Sequence, residues 1–486
     1  MALLVAGQTP GSAAPREPGS GSVAGEVPVA TKAVVGIPQD QLDQLRAKAK
    51  DGKQATRPEQ PQAAGRQPSD KPEPVTTVPL AESARQARVS AAQHAVDTGT
   101  AAAAPIGNRP DAALLDACFK GSSNGEFGRI HNRFTHCVRA SMEVEYWSVN
   151  QQGVPIRKEG VTKATLEIFT QGDDTQRRVR SFARVQRDSV DYDWGWFDNL
   201  FVAPNVPLSI MNQCAQGSDV CFANDGAATM PWIVWDNSDF WFHWDVYNRE
   251  ESGAARDKVS YNHWYFEYFT DFPPYKTLQR GRTEARQLRC DSATYFNFGS
   301  TRYPKACVFS EVTSRLTYHL DSDHRSVALH IFGAQTRPNE TYPLLVPPGT
   351  PAPRDKRIPG EFQPTNPNAP SLHRITSVLQ PGETKANEEH KQGACYKEGP
   401  YAAEYLDTGL PVRPNPPAEQ CDEYPFASTL EGAANPFWDF SVRAVPQRDN
   451  SVAGGLLITH YVQDRVLAWD QDLAEVANDR FYVEIR

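Results

Sequence analysis

Carboxylate and amide side chains suited to chemistry are concentrated near the C-terminus of this 486-residue chain. Asp422 and Glu423 are adjacent, Glu431 follows, and Asp449 and Asn450 lie farther along. Carboxylate and amide oxygens are the ligands that hard cations such as Mg²⁺ prefer. A bound divalent ion neutralises a phosphodiester and stabilises its leaving oxygen, while a nearby carboxylate deprotonates the attacking water. The pattern therefore predicts metal-assisted hydrolysis of a phosphodiester bond.

Short strands and one helix have to position these side chains. Strands are predicted at 422–426 and 440–445, followed by a helix for which Asp449 or Asn450 is a suitable N-cap. A last strand is predicted at 481–485. The predicted order is therefore strand, strand, helix, strand, with acidic residues on the first strand and at the start of the helix.

The order and spacing of these residues resemble the NucA/NucB family of secreted bacterial deoxyribonucleases. The family pattern is D-E-aromatic-P-hydrophobic-A, then E-G, then D/E-N with a small-Gly pair, then an aromatic-rich last strand. The matching residues are Asp422-Glu423-Tyr424-Pro425-Phe426-Ala427, Glu431-Gly432, Asp449-Asn450, Ala453-Gly454 and Phe481-Tyr482. The resemblance covers about the last quarter of the chain. It departs at Ala433, where many members have a second glycine.

The resemblance implies a small α+β domain similar to ββα-metal nucleases, which cleaves DNA internally with Mg²⁺ or Mn²⁺. It implies Asp422 as the general base, with Glu423 beside it as orienter or ligand. Glu431 is implied as a catalytic carboxylate and metal ligand, together with the ligands Asp449 and Asn450. Taken singly, each motif has a plainer interpretation, because an Asp-Glu-Tyr-Pro turn is usually a solvated loop and Asp-Asn is usually a helix cap.

The charge of this region has to be reconciled with a DNA substrate. From Arg374 onward the chain has ten basic and eighteen acidic side chains. We therefore expect the bound cation and the arginines Arg443, Arg448, Arg465 and Arg480 to make the DNA-binding face locally positive. Arg443, Arg448 and Arg465 are the predicted substrate-binding residues.

The whole chain has a formal net charge of -9 and a pI near 5.7, which is no general signature of polyanion binding. It contains no run of 18 or more apolar residues, so no membrane insertion is predicted. The first seven residues resemble the end of a signal peptide that lacks its charged start. A disordered start is the alternative interpretation.

The eight cysteines fall into neighbouring couples without C-x-x-C spacing: Cys118/Cys137, Cys214/Cys221, Cys290/Cys307 and Cys395/Cys421. Pairing within each couple is one of many pairings that eight cysteines allow. An even number of well-separated cysteines favours an oxidising compartment. Buried thiols in a cytosolic protein are the alternative. We expect the protein to be secreted.

Composition divides the chain into four regions. Residues 1–108 are poor in aromatic residues and predict a disordered tether or export region, with transient helices at 40–46 and 82–96. Residues 109–342 predict an all-β, sandwich-like domain of antiparallel strands, one of them at 326–331. Residues 343–370 predict a Pro-rich linker, and 371–486 the nuclease-like domain.

The predicted β-rich domain has no clear functional motif. Its aromatic strands fit either a platform for sugars or bases, or the core of the domain. Its arginine runs fit either a grip on DNA or a wall polymer, or a solvated strand face. His319, Asp321, Asp323, His324 and His330 resemble a metal cluster in composition, but 320–325 fits a turn between strands better.

Two other interpretations stay open on the sequence, one from another class of protein and one intermediate version. One is a non-catalytic secreted protein that binds wall or matrix polysaccharide, or the cell envelope, through the β-rich domain and has a degenerate nuclease domain. The other is a toxin delivered to competitor cells, whose N-terminal two-thirds serve export. Retention of every acidic position of the motif argues against degeneration.

Overall fold

The computed structural model of the chain describes residues 31–51, 106–120, 128–215, 217–366 and 368–486. Most of the region predicted as a disordered tether lies outside these residues, as does the helix predicted at 82–96. Residues 33–50 differ from that prediction, because they form a strand followed by a helix that includes the predicted segment 40–46.

Strands dominate the described part of the chain, and most of them precede residue 320. In chain order they are β1 (Ala33–Pro38), β2 (Arg129–Asn132), β3 (Thr135–Val149), β4 (Pro155–Gly172), β5 (Arg178–Val185), β6 (Asp191–Asp193), β7 (Pro207–Cys214), β8 (Cys221–Ala223), β9 (Ala228–Pro231), β10 (Phe242–Asn248), β11 (Ser260–Phe269), β12 (Lys276–Gln279), β13 (Gly281–Arg282), β14 (Arg286–Asp291), β15 (Asn297–Phe298), β16 (Thr301–Arg302), β17 (Ala306–Phe309), β18 (Ser314–Tyr318), β19 (Glu419–Tyr424), β20 (Ser441–Pro446) and β21 (Phe481–Ile485).

The helices are mostly short, and those of 12 or more residues lie before residue 51 or after residue 324. They are α1 (Gln39–Lys50), α2 (Ala112–Lys120), α3 (Trp196–Phe201), α4 (Trp232–Asp236), α5 (Arg325–Thr336), α6 (Pro381–Tyr396) and α7 (Gln447–Gln463). Short 3₁₀ turns occur at Ala203–Asn205, Glu250–Ser252, Pro338–Glu340, Ala402–Tyr405 and Glu475–Ala477. None of the described helices combines the length and the apolar character needed to cross a membrane.

Two sheets share one hydrophobic core in the middle region. The first has the strand order β12-β1-β3-β4-β5-β10-β8, with β2 and β6 attached, and the second has the order β17-β14-β11-β7-β9, with β13 attached. Val144 and Tyr146 alternate inward along β3, as period-two strands require, and share a core with Leu208 and Phe266. The prediction of a strand-rich middle region is confirmed.

The aromatic residues of this region supply much of that core. Trp232, Trp235, Trp244 and Trp264 are each at most 2% exposed. Their rings are therefore not available as a platform for sugars or bases, which favours the plainer of the two interpretations for these residues.

The N-terminal strand β1 completes the first sheet between two strands of distant sequence. It is parallel to β3 and antiparallel to β12, and Ala33, Val35 and Ile37 are fully buried. Arg46 of α1 donates to Glu159 and Asp198 and holds the helix against the sheet. Residues 31–51 are thus part of the β-rich region.

Four disulfides join the neighbouring cysteines in the couples named above. The bonds are Cys118–Cys137, Cys214–Cys221, Cys290–Cys307 and Cys395–Cys421. The first three lie in the middle region and the fourth ties α6 to β19. The pairing expected from sequence neighbourhood is the one the structure contains.

A second core forms in the C-terminal part, and it includes elements from before the predicted linker. Strand β18 runs parallel to the terminal strand β21, with Ser314 opposite Phe481 and Tyr318 opposite Ile485. Helix α5 packs into the same core as β19 and α7. The predicted boundary between 342 and 343 therefore separates elements that the structure packs together. The strand predicted at 326–331 was wrong, because this segment lies within α5.

The Pro-rich segment also packs against this C-terminal part. The Val483 N–H donates to the Gly360 carbonyl at 2.7 Å, and the Gly360 N–H donates to the Pro370 carbonyl at 2.9 Å. Lys356 is only 4% exposed, and its ammonium donates to the carbonyls of Thr341 and Pro343. Gly360 thus lies beside the terminal strand and Lys356 is anchored to residues 341–343, whereas the sequence predicts a semi-extended spacer.

Candidate active site

The hairpin of β19 and β20 and the helix α7 carry most of the predicted site residues. The strands and the helix of the predicted order are present, and β19 pairs antiparallel with β20. Successive side chains on a strand point to opposite faces. Asp422 therefore shares one face with Arg443, which lies opposite it across the hairpin, and Glu423 lies on the other face with Val442.

Asp422 forms a buried hydrogen-bonded chain with residues of α5 and β20. Its Oδ2 lies 2.6 Å from His330 Nδ1, and His330 Nε2 lies 2.8 Å from Ser441 Oγ. Asp422, His330 and Ser441 are 7%, 3% and 0% exposed. A neutral imidazole that donates its Nδ1–H to the carboxylate and accepts the Ser441 hydroxyl proton satisfies all three groups.

Sequence reasoning did not assign His330 to this site. The sequence predicts a strand at 326–331 and groups His330 only with the metal-like composition of its sequence neighbours. Val327, Ala328, Ile331 and Ala334 are buried together on one face of α5. Their spacing is the helical signal that would have identified α5.

Asp449 and Asn450 lie in the first turn of α7, which begins at Gln447 rather than at the predicted cap. Asp449 Oδ2 accepts hydrogen bonds from the Ser326 N–H at 3.2 Å and the Ser326 hydroxyl at 2.6 Å. The carboxylate thus lies at the N-terminus of α5, where the unpaired N–H groups favour negative charge. Asn450 Nδ2 donates to Gln420 Oε1 at 3.0 Å.

Glu423 is buried on the opposite face of the hairpin. Its Oε1 accepts from the Ala427 N–H at 2.8 Å and lies 3.8 Å from the Lys391 ammonium of α6. Burial raises the pKa of Glu423 to about 8, against the opposing effect of Lys391. Glu423 therefore does not contact the groups that surround Asp422.

Glu431 lies in a third environment. Its Oε2 accepts from the His373 N–H at 2.8 Å, and its Oε1 lies 2.7 Å from His373 Nδ1. The His373 ring packs edge-on against Trp469. The structure therefore does not place Glu431 with Asp449 and Asn450.

The side of the hairpin that faces α5 carries carboxylate and amide oxygens, which are the kind of ligand that a hard divalent cation prefers. Ser326 and His330, one helical turn apart, contact Asp449 and Asp422 respectively, so the two carboxylates lie along the same face of α5. In the described part of the chain, no three His, Cys, Asp or Glu side chains form a group that could hold a metal. An ion here would rely on the Asp449 carboxylate, the Asn450 amide and water, with Asp422 nearby on the same face of α5.

A cavity of about 400 Å³ opens beside this hydrogen-bonded chain. His330 and Gly333 of α5 and Arg337, directly after the helix, line the cavity together with Ser441 and Arg443 of β20. The lining of the cavity thus includes two arginines together with His330 and Ser441 of the hydrogen-bonded chain.

The predicted substrate-binding arginines have three different environments. Arg443 is exposed beside the cavity, and Arg448 is exposed and forms an ion pair with Asp323 at 2.9 Å. Arg465 is 1% exposed, and its Nη2 donates to Asp291 at 2.6 Å. Because its guanidinium is buried against the middle region, Arg465 cannot form part of a DNA-binding surface as predicted.

Comparison with known proteins supports the resemblance for the C-terminal part. Residues 374–471 match the family model of deoxyribonuclease NucA/NucB. The matched segment contains Asp422, Asp449 and Asn450, whereas β18, α5 and β21 lie outside it. No curated protein and no solved structure matches the chain at a significant level. The likeness to ββα-metal nucleases stays a prediction.

Proposed function

We propose that the chain is a secreted, metal-dependent endodeoxyribonuclease whose C-terminal part hydrolyses DNA phosphodiester bonds. The observation that carries this proposal is the match of residues 374–471 to a deoxyribonuclease family. The four disulfides are consistent with secretion, because such bonds persist in oxidising compartments.

Within this proposal Asp422 is the general base. Its Oδ2 is engaged by His330, and its side chain keeps 8% of its surface exposed, so a water molecule can approach the carboxylate. The carboxylate accepts the proton of that water as the water attacks phosphorus. The carboxylate of Asp449 and the amide oxygen of Asn450 make these two residues the proposed metal ligands, with Mg²⁺ or Mn²⁺ as the ion.

The divalent ion, when bound, supplies charge neutralisation at the phosphate and stabilisation of the leaving 3′-oxygen. Arg443 lies on the same face of the hairpin as Asp422. No hydrogen bond or ion pair to another described residue restrains its guanidinium. We therefore assign Arg443 to a DNA phosphate next to the scissile bond.

The polysaccharide-binding alternative has less support, because the four tryptophans named above lie in the core of the β-rich region. A role of this region in contacting a cell wall or extracellular matrix, or in supporting export, stays a separate prediction.

The test is a plasmid-nicking assay of the full chain with Mg²⁺ or Mn²⁺, with and without EDTA. We expect cleavage that stops with the chelator, and a loss of about 10²-fold or more in turnover for Asp422→Asn. The matched control is Asp472→Asn, which makes the same change at an exposed acid of the same region. Undiminished cleavage in excess EDTA would contradict the metal mechanism, and no cleavage with any divalent ion would contradict the nuclease assignment.

A further inference from the structure

We propose that His330 is a positioning residue for Asp422, supplied by a helix that lies outside the family-matched segment. This inference rests on the proposed function, because it assigns His330 to the same active site. It makes α5 part of the catalytic unit, although the matched segment begins at residue 374.

The contacts of α5 are directed at the two acidic groups of the proposed mechanism. His330 bonds the proposed base Asp422 at 2.6 Å, and Ser326, one turn earlier, bonds the proposed metal ligand Asp449 at 2.6 Å. Residues four apart lie on the same helix face. One face of one helix therefore sets the position of both carboxylates.

The hydrogen bonds of His330 restrict its orientation. Ser441 Oγ lies 2.8 Å from Nε2, so Nδ1 is the nitrogen that faces Asp422. Nδ1 can therefore donate a hydrogen bond to Oδ2 of the Asp422 carboxylate. This hydrogen bond fixes the rotation of the Asp422 carboxylate. Only Oδ2 contacts His330, and Oδ1 does not.

The order Ser441, His330, Asp422 has the geometry of a hydrolase triad, but the burial of Ser441 argues against that role. Ser441 borders the cavity but is 0% exposed, so its hydroxyl is not accessible for attack on a bound ligand. We therefore assign Ser441 to holding the imidazole, with Asp422 as the group that meets the substrate water.

An alternative explanation of these contacts is that α5 is a displaceable cover over Asp422 and Asp449. Val327, Ala328, Ile331 and Ala334 of α5 are at most 1% exposed in the C-terminal core. The preceding strand β18 pairs with β21 over five residues. Displacing α5 would open that core, so the burial favours a permanent part of the site.

Two amide variants of the full chain separate positioning from packing. In His330→Asn the amide nitrogen takes the place of Nδ1, so the bond to Asp422 is retained. In His330→Gln the longer side chain places its amide nitrogen near Nε2, so that bond is lost. The assay uses an oligonucleotide substrate and saturating Mg²⁺ or Mn²⁺. We expect kcat to fall about 10-fold or more in His330→Gln and to stay within about 3-fold of the unaltered chain in His330→Asn. KM should change little in both variants.

Gln335→Ala is the matched control on the same helix. Gln335 donates to the Tyr424 hydroxyl and the Val483 carbonyl, both at 3.1 Å, so its removal costs two partly buried contacts that do not involve Asp422. We expect kcat close to that of the unaltered chain. Equal kcat values in His330→Asn and His330→Gln would overturn the proposal. A kcat that is higher in His330→Gln than in His330→Asn would also overturn it, and would indicate that α5 is a displaceable cover of the site.

A readout independent of activity distinguishes failure of this inference from failure of the proposed function. In nitrogen-15 spectra we expect a low-field His330 Nδ1–H signal that disappears in His330→Gln and shifts in Asp422→Asn. If the unaltered chain cleaves no DNA, the nuclease assignment fails, while this signal still tests the contact. Absence of the signal would overturn the inference whatever the activity.

Discussion

Replacing Asp479 by alanine should strongly destabilise the chain, because its carboxylate joins the middle region to the C-terminal part. It accepts two hydrogen bonds from Arg133 at 3.1 Å and a further one from Arg289. Arg133 and Arg289 are 2% and 1% exposed. The substitution would therefore leave two buried guanidinium groups without their shared carboxylate.

The magnitude follows from the burial of these charges. Removing one partner of a buried ion pair costs about 3–5 kcal/mol, against a typical total stability of about 5–15 kcal/mol. Arg289 keeps Asp291 at 3.4 Å, which limits the effect. We expect a loss of about 3–5 kcal/mol at pH 7.

The same carboxylate predicts a pH dependence. Burial alone would raise the pKa of Asp479, but Arg133 and Arg289 hold it well below the ordinary value. A lowered pKa gives stability that is present above the ordinary aspartate pKa of about 3.9 and is lost as pH falls below it. The difference between the unaltered chain and Asp479→Ala should therefore shrink under acidic conditions.

Urea unfolding followed by both tryptophan fluorescence and circular dichroism measures the effect, since two probes are needed for a chain of several parts. Asp472→Ala, at an exposed acid nearby, is the control and should cost little. A loss below about 1 kcal/mol for Asp479→Ala, or a difference that does not depend on pH, would refute the reasoning.

Three further predictions concern the C-terminal part. Glu423→Gln should stabilise the chain by an amount that grows between about pH 4.5 and pH 8. The raised pKa of Glu423, about 8, means that its carboxyl group stabilises the fold fully at low pH and loses this contribution over that range. A gain in thermal unfolding that does not change with pH would contradict this. Replacing both Cys395 and Cys421 by alanine should cost about 2–4 kcal/mol in urea unfolding, because the bond closes a loop with a sequence separation of 26; an unchanged midpoint would contradict it. The fragment 371–486 expressed alone should unfold without cooperativity, because it lacks β18 and α5. The longer fragment 310–486 contains both elements and should retain a cooperative transition. Equal melting curves of the two fragments would show that β18 and α5 are dispensable.

Local patterns in the sequence determined several features of this protein. The strands β19, β20 and β21 were predicted within a few residues of their bounds, and the family resemblance rests on a compact motif around Asp422. The cysteine couples also pair as sequence neighbours. These features depend on residues that are close in the chain, so composition and spacing carry the information.

Only the tertiary structure decided which of the candidate residues share a site. His330 reaches Asp422 and Ser441 across 92 and 111 residues, and no local pattern encodes such a contact. A short apolar segment is compatible with either a strand or a buried helix, which is why 326–331 was misassigned. Packing against β19 and α7 fixes it as a helix.

The same reason applies to the charges. Sequence showed that Arg465 and Glu431 are ionisable, but only the fold buries Arg465 against Asp291 and pairs Glu431 with His373. Desolvation and a charged partner are properties of a three-dimensional environment. The motif therefore specified the chemistry available to the chain, and the packing of α5, β20 and α7 around Asp422 specified which side chains can act together.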